Sequence, residues 1–366
     1  MNVAALAVME SNWREAGFTS PNATTYPWLW LWDSCFHALI WHHLGRTDRA
    51  LVELGSVFAD QGPTGFVPHM RYVGAPHEAA DFWGRPATSS ITQPPMFGHA
   101  VAELVRAGVD VGPLVDQAAL AVCHLLDRPP SPSGLVPIFH PWESGCDDSP
   151  RWDSERPFDP ARWHHDKGRF VEGLKLDSAG APVANATFSV GSIGFNALAA
   201  FNAAELVSIG AEGLAPGRDR LVGAIAEKYD DEAGTWVDDS DLGGGAVRTL
   251  DTHLALLVAD PQVVDRRAPD LVDREAFGAP FGPAGVARGE AARRDDQYWR
   301  GPSWPQLSYL VWLACSRRGR DEAEPIARSL RRGAISSGFS EYWNPETGAG
   351  LGARPQSWAG LAALVG

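Results

Sequence analysis

The feature of this sequence that most constrains its fold is an alternation between segments of helical periodicity and long loops rich in glycine, proline and tryptophan. Apolar residues recur with a helical period in residues 33–44, 47–59, 94–107, 113–126, 195–209, 218–228, 250–257, 304–315, 321–336 and 356–365. The long loops are residues 61–90, 128–185, 236–248, 261–302 and 338–355. Segments with strand alternation are scarce, so we predict an all-α protein. We expect a toroid of helical hairpins with the loops gathered over one end, since structureless stretches of this length usually carry function.

Length and charge narrow the organisation and the partners. The 366 residues, 45% of them hydrophobic, suffice for a large core, and nothing resembles an interdomain linker. We therefore expect one domain over residues 1–366. The 31 Lys and Arg against 45 Asp and Glu give a net charge of -14, which argues against nucleic acid or an anionic membrane as partner. The 15 tryptophans favour a small neutral or weakly anionic sugar, because indoles stack on the C–H faces of sugars.

The cysteines and the N-terminus indicate a compartment. Cys35, Cys123, Cys146 and Cys315 lie far apart without a CxxC pair, which suits reduced thiols better than a disulfide framework. The first residues lack a basic region and reach Glu10 after a short apolar run, so we expect neither a signal peptide nor a membrane span. These observations predict a cytoplasmic protein.

An aromatic cluster precedes the first predicted helix. Residues 26–37 read YPWLWLWDSCFH, with Asp33 at the predicted helix start. One interpretation is an N-capping aspartate beside core indoles. Three tryptophans so close together cannot all face one core from a single helix, however. An aromatic wall beside a carboxylate that binds hydroxyl groups explains the cluster better.

The second candidate segment is an acidic loop. Residues 141–153 read PWESGCDDSPRWD and include Glu143, Asp147, Asp148 and Asp153. A solvated acidic loop, or a turn in which aspartates cap backbone amides, is one explanation. The functional alternative is a carboxyl group whose pKa is raised by burial and by like-charged neighbours, which suits it to protonate a leaving oxygen.

A further carboxylate lies near the C-terminus. Residues 338–358 read GFSEYWNPETGAGLGARPQSW, in which Glu341 precedes Tyr342, Trp343 and a turn. An ordinary turn before the last helix is the alternative. The glycines of residues 348–353 are not preceded by a strand, so we reject a dinucleotide site. Two carboxylates on separate aromatic loops meet the requirement for cleavage of a glycosidic bond.

Histidines and acidic residues elsewhere give weak metal signals. His164, His165 and Asp166 lack a spaced third ligand, so surface or packing roles are favoured over a metal site. The acidic residues 230–241 lack the EF-hand pattern, and we interpret them as a solvated loop. We predict no metal and no cofactor.

Seven motifs resemble, in the same order, those of glycoside hydrolase family 63: WLWDSCFHA, GFVPHM, SSITQPP, ESGCDDSPRWD, GFNAL, YWRGPSWP and EYWNPETGAGLGA. The likeness runs from about residue 26 to the C-terminus and is strongest to the bacterial branch with mannosylglycerate and glucosylglycerate hydrolases. It implies an (α/α)6 barrel and metal-independent, inverting hydrolysis of an α-linked sugar. The expected substrate is a small α-glucoside or α-mannoside, either conjugated to glycerate or a short α-gluco-oligosaccharide.

The resemblance also assigns residues to roles. The family's general acid falls on Asp147 and its general base, which activates water, on Glu341. The substrate-binding residues that it implies are Tyr26, Trp32, Asp33, Gln93, Trp299, Arg300, Gly301, Trp304 and Gln356.

The sequence departs from the family at three points, one of which is that the residues after YWRGPSW lack the expected Asn-rich run. The family usually has Asn after the acid, whereas Asp148 adds a charge that should raise the pKa of Asp147 if both are buried. The arginine-rich stretch that we associate with the acceptor carboxylate is shorter and differently arranged here. Three cations could replace it: Arg162, Lys167 and Arg169. The sequence leaves the sugar, the acceptor group and the oligomeric state open.

Two other classes of protein fit part of the pattern. A catalytically degenerate carbohydrate-binding relative would keep Trp32, Trp299 and Trp304 but hydrolyse nothing. A terpene cyclase is also a helical toroid with acidic and aromatic residues, but its carboxylates face a dry apolar cavity. The ordered motifs favour the glycosidase.

Overall fold

The computed structural model describes residues 1–72, 77–154, 157–240, 242 and 246–366. These residues form twelve α-helices. They are α1 (Asn2–Asn12), α2 (Leu31–His43), α3 (Thr47–Phe58), α4 (His77–Trp83), α5 (Phe97–Arg106), α6 (Leu114–Leu126), α7 (Pro160–Glu172), α8 (Ile193–Val207), α9 (Ala215–Glu227), α10 (Pro261–Arg267), α11 (Pro305–Ser316) and α12 (Ala323–Ser336). Two 3₁₀ helices complete the barrel, Thr252–Leu257 and Ser357–Ala363.

Six helical elements close into an inner ring. Helix α2 packs on α5, α5 on α8, α8 on Thr252–Leu257, that element on α11, α11 on Ser357–Ala363, and the last returns to α2. Each inner element also carries an outer helix: α3, α6, α9, α10, α12 and α1, in the same order. This arrangement is an (α/α)6 barrel, as predicted.

Composition explains which helices lie inside. An inner helix is surrounded by other elements and must be apolar on all sides, whereas an outer helix needs one apolar stripe. In α8, thirteen of fifteen residues are buried. Outer helix α12 buries only Ile326, Ala327, Leu330, Gly333 and Ala334, which recur at helical spacing.

The observed elements correct several predicted ones. Eight of the ten predicted helical segments are α-helices, whereas predicted helices 250–257 and 356–365 are 3₁₀ helices. Helix α1 was not predicted at all. The predicted loops 61–90, 128–185 and 261–302 contain α4, α7 and α10. The loops are therefore less structureless than the sequence suggested.

The described residues also form five two-stranded antiparallel sheets in the connections. They are β1 (Trp13–Arg14) with β2 (Phe18–Thr19), β3 (Leu29–Trp30) with β4 (Met70–Arg71), β5 (Leu174–Leu176) with β6 (Pro182–Asn185), β7 (Tyr229–Asp230) with β8 (Thr235–Trp236), and β9 (Tyr342–Trp343) with β10 (Gly350–Leu351). The second sheet joins strands on either side of α2 and α3, and the other four are hairpins. In the second sheet Trp30 pairs directly with Met70, and in the last Trp343 pairs with Gly350. Both sheets adjoin the site described below.

A buried ion network joins three inner helices. Glu205 on α8 accepts hydrogen bonds from His99 on α5 at 2.7 Å, from Arg106 at 2.9 Å and from Arg317, which follows α11, at 2.6 Å. Burial raises the pKa of Glu205, but these hydrogen bonds outweigh it and hold the pKa well below its ordinary value. The network therefore needs the ionised carboxylate.

Three further expectations concern the cysteines, a membrane span and the number of domains. The four cysteines are free thiols, as expected. None of the helices that the structure describes combines the length and the apolarity that crossing a membrane requires. The single domain stays a prediction, supported by one hydrophobic cluster that extends from Ala5 to Val365.

Candidate active site

A cavity of about 450 Å³, which we call the inner cavity, lies at the N-terminal ends of inner helices. The segments that lead into α2, α5, α11 and Ser357–Ala363 supply much of its wall. Eight predicted site residues line it: Tyr26, Trp32, Asp33, Gln93, Asp147, Trp299, Glu341 and Gln356. Residues from remote parts of the chain thus converge as the motifs implied.

The backbone around Asp147 is held by several neighbours. The preceding Gly145 has a left-handed φ of 70°, and a Cβ there would lie 2.7 Å from the ring of Trp32. The backbone carbonyl of Asp147 accepts a hydrogen bond from Nε1 of Trp163 at 2.9 Å. The Tyr298 hydroxyl donates to Oδ2 of Asp147 at 3.4 Å. The carboxyl group is therefore presented to the cavity from a fixed turn.

The pKa of Asp147 suits a proton donor. Burial raises it to about 6, Lys167 lowers it, and the neighbouring Asp148 raises it. Burial is the larger of the two causes that raise this pKa, and the like charge of Asp148 adds to it. Asp148 itself forms an ion pair with Lys167 at 2.5 Å.

Glu341 is fixed by the hairpin that it precedes. Its backbone N–H donates to the carbonyl of Ala353 at 2.8 Å, and the Ala353 N–H donates to Oε2 of Glu341 at 2.9 Å. Oε1 accepts from the Tyr26 hydroxyl at 3.2 Å, and Nε1 of Trp358 donates to the Glu341 carbonyl at 2.9 Å. Strands β9 and β10 close the turn behind it.

The pKa of Glu341 is also raised. Burial raises it to about 7, the hydrogen bonds from Ala353 and Tyr26 lower it, and Asp147 raises it. Burial and the two carboxylates raise the pKa of Tyr26 above its ordinary value, so this phenol keeps its proton and acts as a donor. At a pH between these two values, the two carboxyl groups that line the inner cavity therefore hold about one proton between them.

Three residues that line the inner cavity carry a buried polar atom that has no hydrogen-bond partner among the described residues. These atoms are Nε1 of Trp30, Nε1 of Trp299 and Oε1 of Gln356. Asp33 is 3% exposed, and burial raises its pKa well above the ordinary value. Buried polar atoms are nearly always paired in proteins, so this wall is complementary to a ligand rich in hydroxyl groups.

A stack of aromatic rings supports one wall. Trp299 lines the cavity with a positive φ of 58°, a conformation that costs a bulky residue energy. Its ring lies flat on Trp304, with centroids 3.6 Å apart and planes 4° apart. Trp304 stacks in turn on Tyr342 at 4.4 Å.

Three predicted binding residues lie behind the wall and are not on it. Trp304 is fully buried beneath Trp299, and Arg300 and Gly301 line neither this cavity nor its neighbour. The Arg300 guanidinium forms a two-pronged ion pair with Asp153, at 2.9 and 2.6 Å, and donates to the Asp148 carbonyl at 3.3 Å. The Arg300 guanidinium is therefore already paired with a carboxylate of the loop that carries Asp147. We propose that Arg300 positions this loop.

A second space, which we call the outer cavity, adjoins the inner one and has a volume of about 1190 Å³. Five residues line both cavities: Tyr26, Trp30, Gln93, Asp147 and Tyr298. Glu341 lines only the inner cavity. The Asp147 carboxyl group therefore lies at the junction of two compartments.

Much of this lining was not predicted from the sequence. The quoted segments contain most of the residues that were passed over: Trp30, Gly145, Tyr298 and Trp358 of the inner cavity and His69, Met70 and Trp142 of the outer one. Phe82 and Trp83 of the outer cavity lie outside those segments, in a predicted loop that contains α4. Motif membership could have identified the first group, but only tertiary structure reveals the second.

Other candidates have different surroundings. Glu143 is fully buried and accepts from the Phe139 N–H at 2.6 Å and from Arg128 at 3.3 Å, so it is a structural carboxylate. His164 is exposed and lines the outer cavity, and His165 is exposed. The expectation that residues 230–241 form a solvated loop is wrong in part, because Trp236 is buried in β8 and the Asp238 side chain is buried in an ion pair with Arg151. Asp241 lies outside the described residues.

Comparison with known proteins identifies the family. Residues 26–359 match the family model described as the mannosylglycerate hydrolase MGH1-like glycoside hydrolase domain. The chain belongs to this family. It is a glycoside hydrolase.

Individual relatives agree with this assignment. A mannosylglycerate hydrolase of Thermus thermophilus is 31% identical, over 98% of this chain and 99% of the relative. A glucosylglycerate hydrolase of Mycolicibacterium hassiacum is 27% identical, over 93% of this chain and 91% of the relative. The crystal structure of the family 63 mannosylglycerate hydrolase from Thermus thermophilus, in complex with Tris and D-glycerate, superimposes with a TM-score of 0.84, at 27% identity and covering 99% and 98% of the two chains.

Proposed function

We propose that this glycoside hydrolase is an inverting α-glycosidase of small α-glucosides or α-mannosides, with Asp147 as general acid and Glu341 as general base. The observation that carries the proposal is the unequal placement of the two carboxyl groups. Asp147 lines both cavities, whereas Glu341 lines the inner cavity alone. The bond to be cleaved would join groups in the two cavities, so the acid belongs at their junction.

In this mechanism the inner cavity binds the sugar whose anomeric carbon reacts. Asp147 donates its proton to the glycosidic oxygen as the bond to the anomeric carbon breaks. Glu341 accepts a proton from water, and the oxygen of that water attacks the anomeric carbon from the face opposite the leaving group. The proton lost by Asp147 stays on the leaving group, and the proton gained by Glu341 returns to solvent.

Hydrogen bonds around the two carboxyl groups support these roles. Tyr26 and the Ala353 N–H both donate to Glu341 and therefore favour its ionised form, which a base requires. Trp163 binds the backbone of Asp147, and the carboxyl group accepts one longer hydrogen bond, from the Tyr298 hydroxyl at 3.4 Å, which opposes its protonation less than the two bonds to Glu341. The names of the relatives support glucose or mannose as the sugar in the inner cavity.

Glycosyl fluorides separate the two roles, because fluoride departs without a proton donor. Asp147→Asn should lower kcat/KM on an α-linked glycoside by about 10²–10⁴-fold and lower it much less on the matching α-glycosyl fluoride. Glu341→Gln should lower kcat/KM on both substrates to a similar degree, because water still needs a base.

Near-normal hydrolysis of both substrates by Glu341→Gln would contradict the assignment of the base. An equal loss on both substrates in Asp147→Asn would contradict the assignment of the acid. Sugar binding by calorimetry without turnover of any α-glycoside or α-glycosyl fluoride would favour the degenerate carbohydrate-binding protein.

A further inference from the structure

The outer cavity has aromatic walls built from three separate segments of the chain. Trp28 precedes α2, Phe82 and Trp83 end α4, and Trp142 begins the turn before Asp147. The rings of Trp83 and Trp142 lie 5.8 Å apart, and each lies within 6.4 Å of the His69 ring. Ring contacts of this kind hold flat apolar faces in place before a ligand arrives.

The charges around this cavity do not favour an anion. Lys167, which lines the cavity, is already bound to Asp148. Burial lowers the pKa of His69 well below its ordinary value, so that ring is neutral at pH 7. His164 lies exposed at the edge, and Asp147 adds a carboxyl group. Among the residues that the structure describes, no arginine lines the outer cavity.

Size points in the same direction. The outer cavity is larger than the inner cavity, 1190 against 450 Å³, with the space that opens to solvent included in both volumes. A three-carbon acid has few C–H groups with which to cover the indole faces of the outer cavity. A pyranose ring offers a flat C–H face to the indoles and hydroxyl groups to Tyr26, Gln93 and His164.

We infer that the leaving group held by the outer cavity is an uncharged sugar ring, which makes the substrate a neutral α-linked disaccharide and not a glycerate conjugate. This inference rests on the proposed function, because the acid at the junction of the cavities defines which compartment holds the leaving group. Recognition then depends on ring stacking against Trp83 and Trp142, with no ion pair to the substrate.

The test compares kcat/KM for α-linked glucosyl and mannosyl disaccharides with that for glucosylglycerate and mannosylglycerate. We expect the best disaccharide to exceed both glycerate conjugates by at least about tenfold. A glycerate conjugate as the better substrate, or no turnover of any disaccharide, overturns the inference.

The α-glycosyl fluorides of glucose and mannose distinguish a failure of this inference from a failure of the proposed function, because these substrates need only the inner cavity. Their hydrolysis together with a preference for glycerate conjugates refutes the inference and leaves the proposed function intact. If neither fluoride nor any glycoside is hydrolysed, the proposed function itself fails.

Two variants test the walls and the charge. Trp142→Ala should lower the ratio of kcat/KM on the disaccharide to kcat/KM on the fluoride by about tenfold. Trp142→Phe should restore most of this ratio. Trp312→Ala is the control, because Trp312 lies outside both cavities, and it should leave the ratio unchanged. Asp148→Asn should raise the ratio of glycerate conjugate to disaccharide, because it frees the charge of Lys167. An unchanged ratio in both Trp142→Ala and Asp148→Asn contradicts the inference.

Discussion

The phenol of Tyr26 offers a sharp test of how one proton is shared between Asp147 and Glu341. Tyr26 donates to Oε1 of Glu341 at 3.2 Å and so stabilises the ionised carboxylate. Tyr26→Phe removes this bond and should raise the pKa of Glu341. Hydrogen bonds to charged groups contribute about 1.5–3 kcal/mol, and a long one belongs near the lower limit. At 1.36 kcal/mol per pKa unit, the expected shift is about one unit.

This shift changes the pH profile in a specific way. The pKa values are about 6 for Asp147 and about 7 for Glu341. When the pair holds one proton, that proton is therefore on Asp147, as the mechanism requires, in about one molecule in ten. Raising the pKa of Glu341 by about one unit lowers this reactive fraction to about one molecule in a hundred. The maximum of kcat/KM should therefore fall about tenfold, and the alkaline limb should move upward by about one pH unit.

The assay is kcat/KM from pH 4 to 10 for the wild type, Tyr26→Phe and Tyr298→Phe. Tyr298 donates to Asp147 at 3.4 Å, so its loss should raise the lower pKa and move the acid limb upward by a smaller amount. The wild type should show a narrow bell with its maximum between the two pKa values. An alkaline limb that stays in place in Tyr26→Phe would refute the link between this phenol and the titration of Glu341.

Two further predictions concern stability. Gly145→Ala should cost about 1–3 kcal/mol of unfolding free energy and most of the activity, because its Cβ would meet Trp32 at a left-handed φ. Gly108→Ala, which has a similar φ and no neighbour within 4 Å, should cost about 1 kcal/mol or less and leave activity intact, as denaturant unfolding and kinetics can check. Glu205→Gln should cost about 2 kcal/mol at pH 7, and the half-exposed control Glu103→Gln less than about 1 kcal/mol. The pKa of Glu205 is lowered in the folded protein, so its contribution to the free energy of unfolding is present above the ordinary carboxyl pKa of about 4 and is lost at lower pH. The difference in stability between the wild type and Glu205→Gln should therefore narrow only in acid. A difference that persists in acid contradicts the reasoning.

Much of the barrel was predictable because inner helices leave a strong trace in the sequence. A segment such as Ile193–Val207 is apolar on every side and can exist only inside the protein. Helix α7 was missed because its charged residues hide the apolar period. Its start was nevertheless readable, since Asp159 caps the N–H groups of Ala161 and Arg162 and Pro160 follows it. The choice between α and 3₁₀ geometry in Thr252–Leu257 depends on packing, which local sequence does not specify.

The site was predictable in its inner half and not in its outer half. Motifs led to Asp147, Glu341 and Tyr26 because each lies in a compact aromatic segment with distinctive neighbours. The aromatic residues of the outer cavity come from three segments that are remote in sequence, and no spacing links Trp83 to Trp142. Arg300 was predicted to bind substrate because it is a cation within a binding motif, but its guanidinium already forms an ion pair with Asp153.

The central claim is that Glu341 directs water to the face of the sugar opposite the leaving group that Asp147 protonates. Proton NMR of the sugar released from an α-linked substrate, recorded before mutarotation, tests this claim directly. We expect the β-anomer to appear first. Initial release of the α-anomer would mean retention and would contradict it.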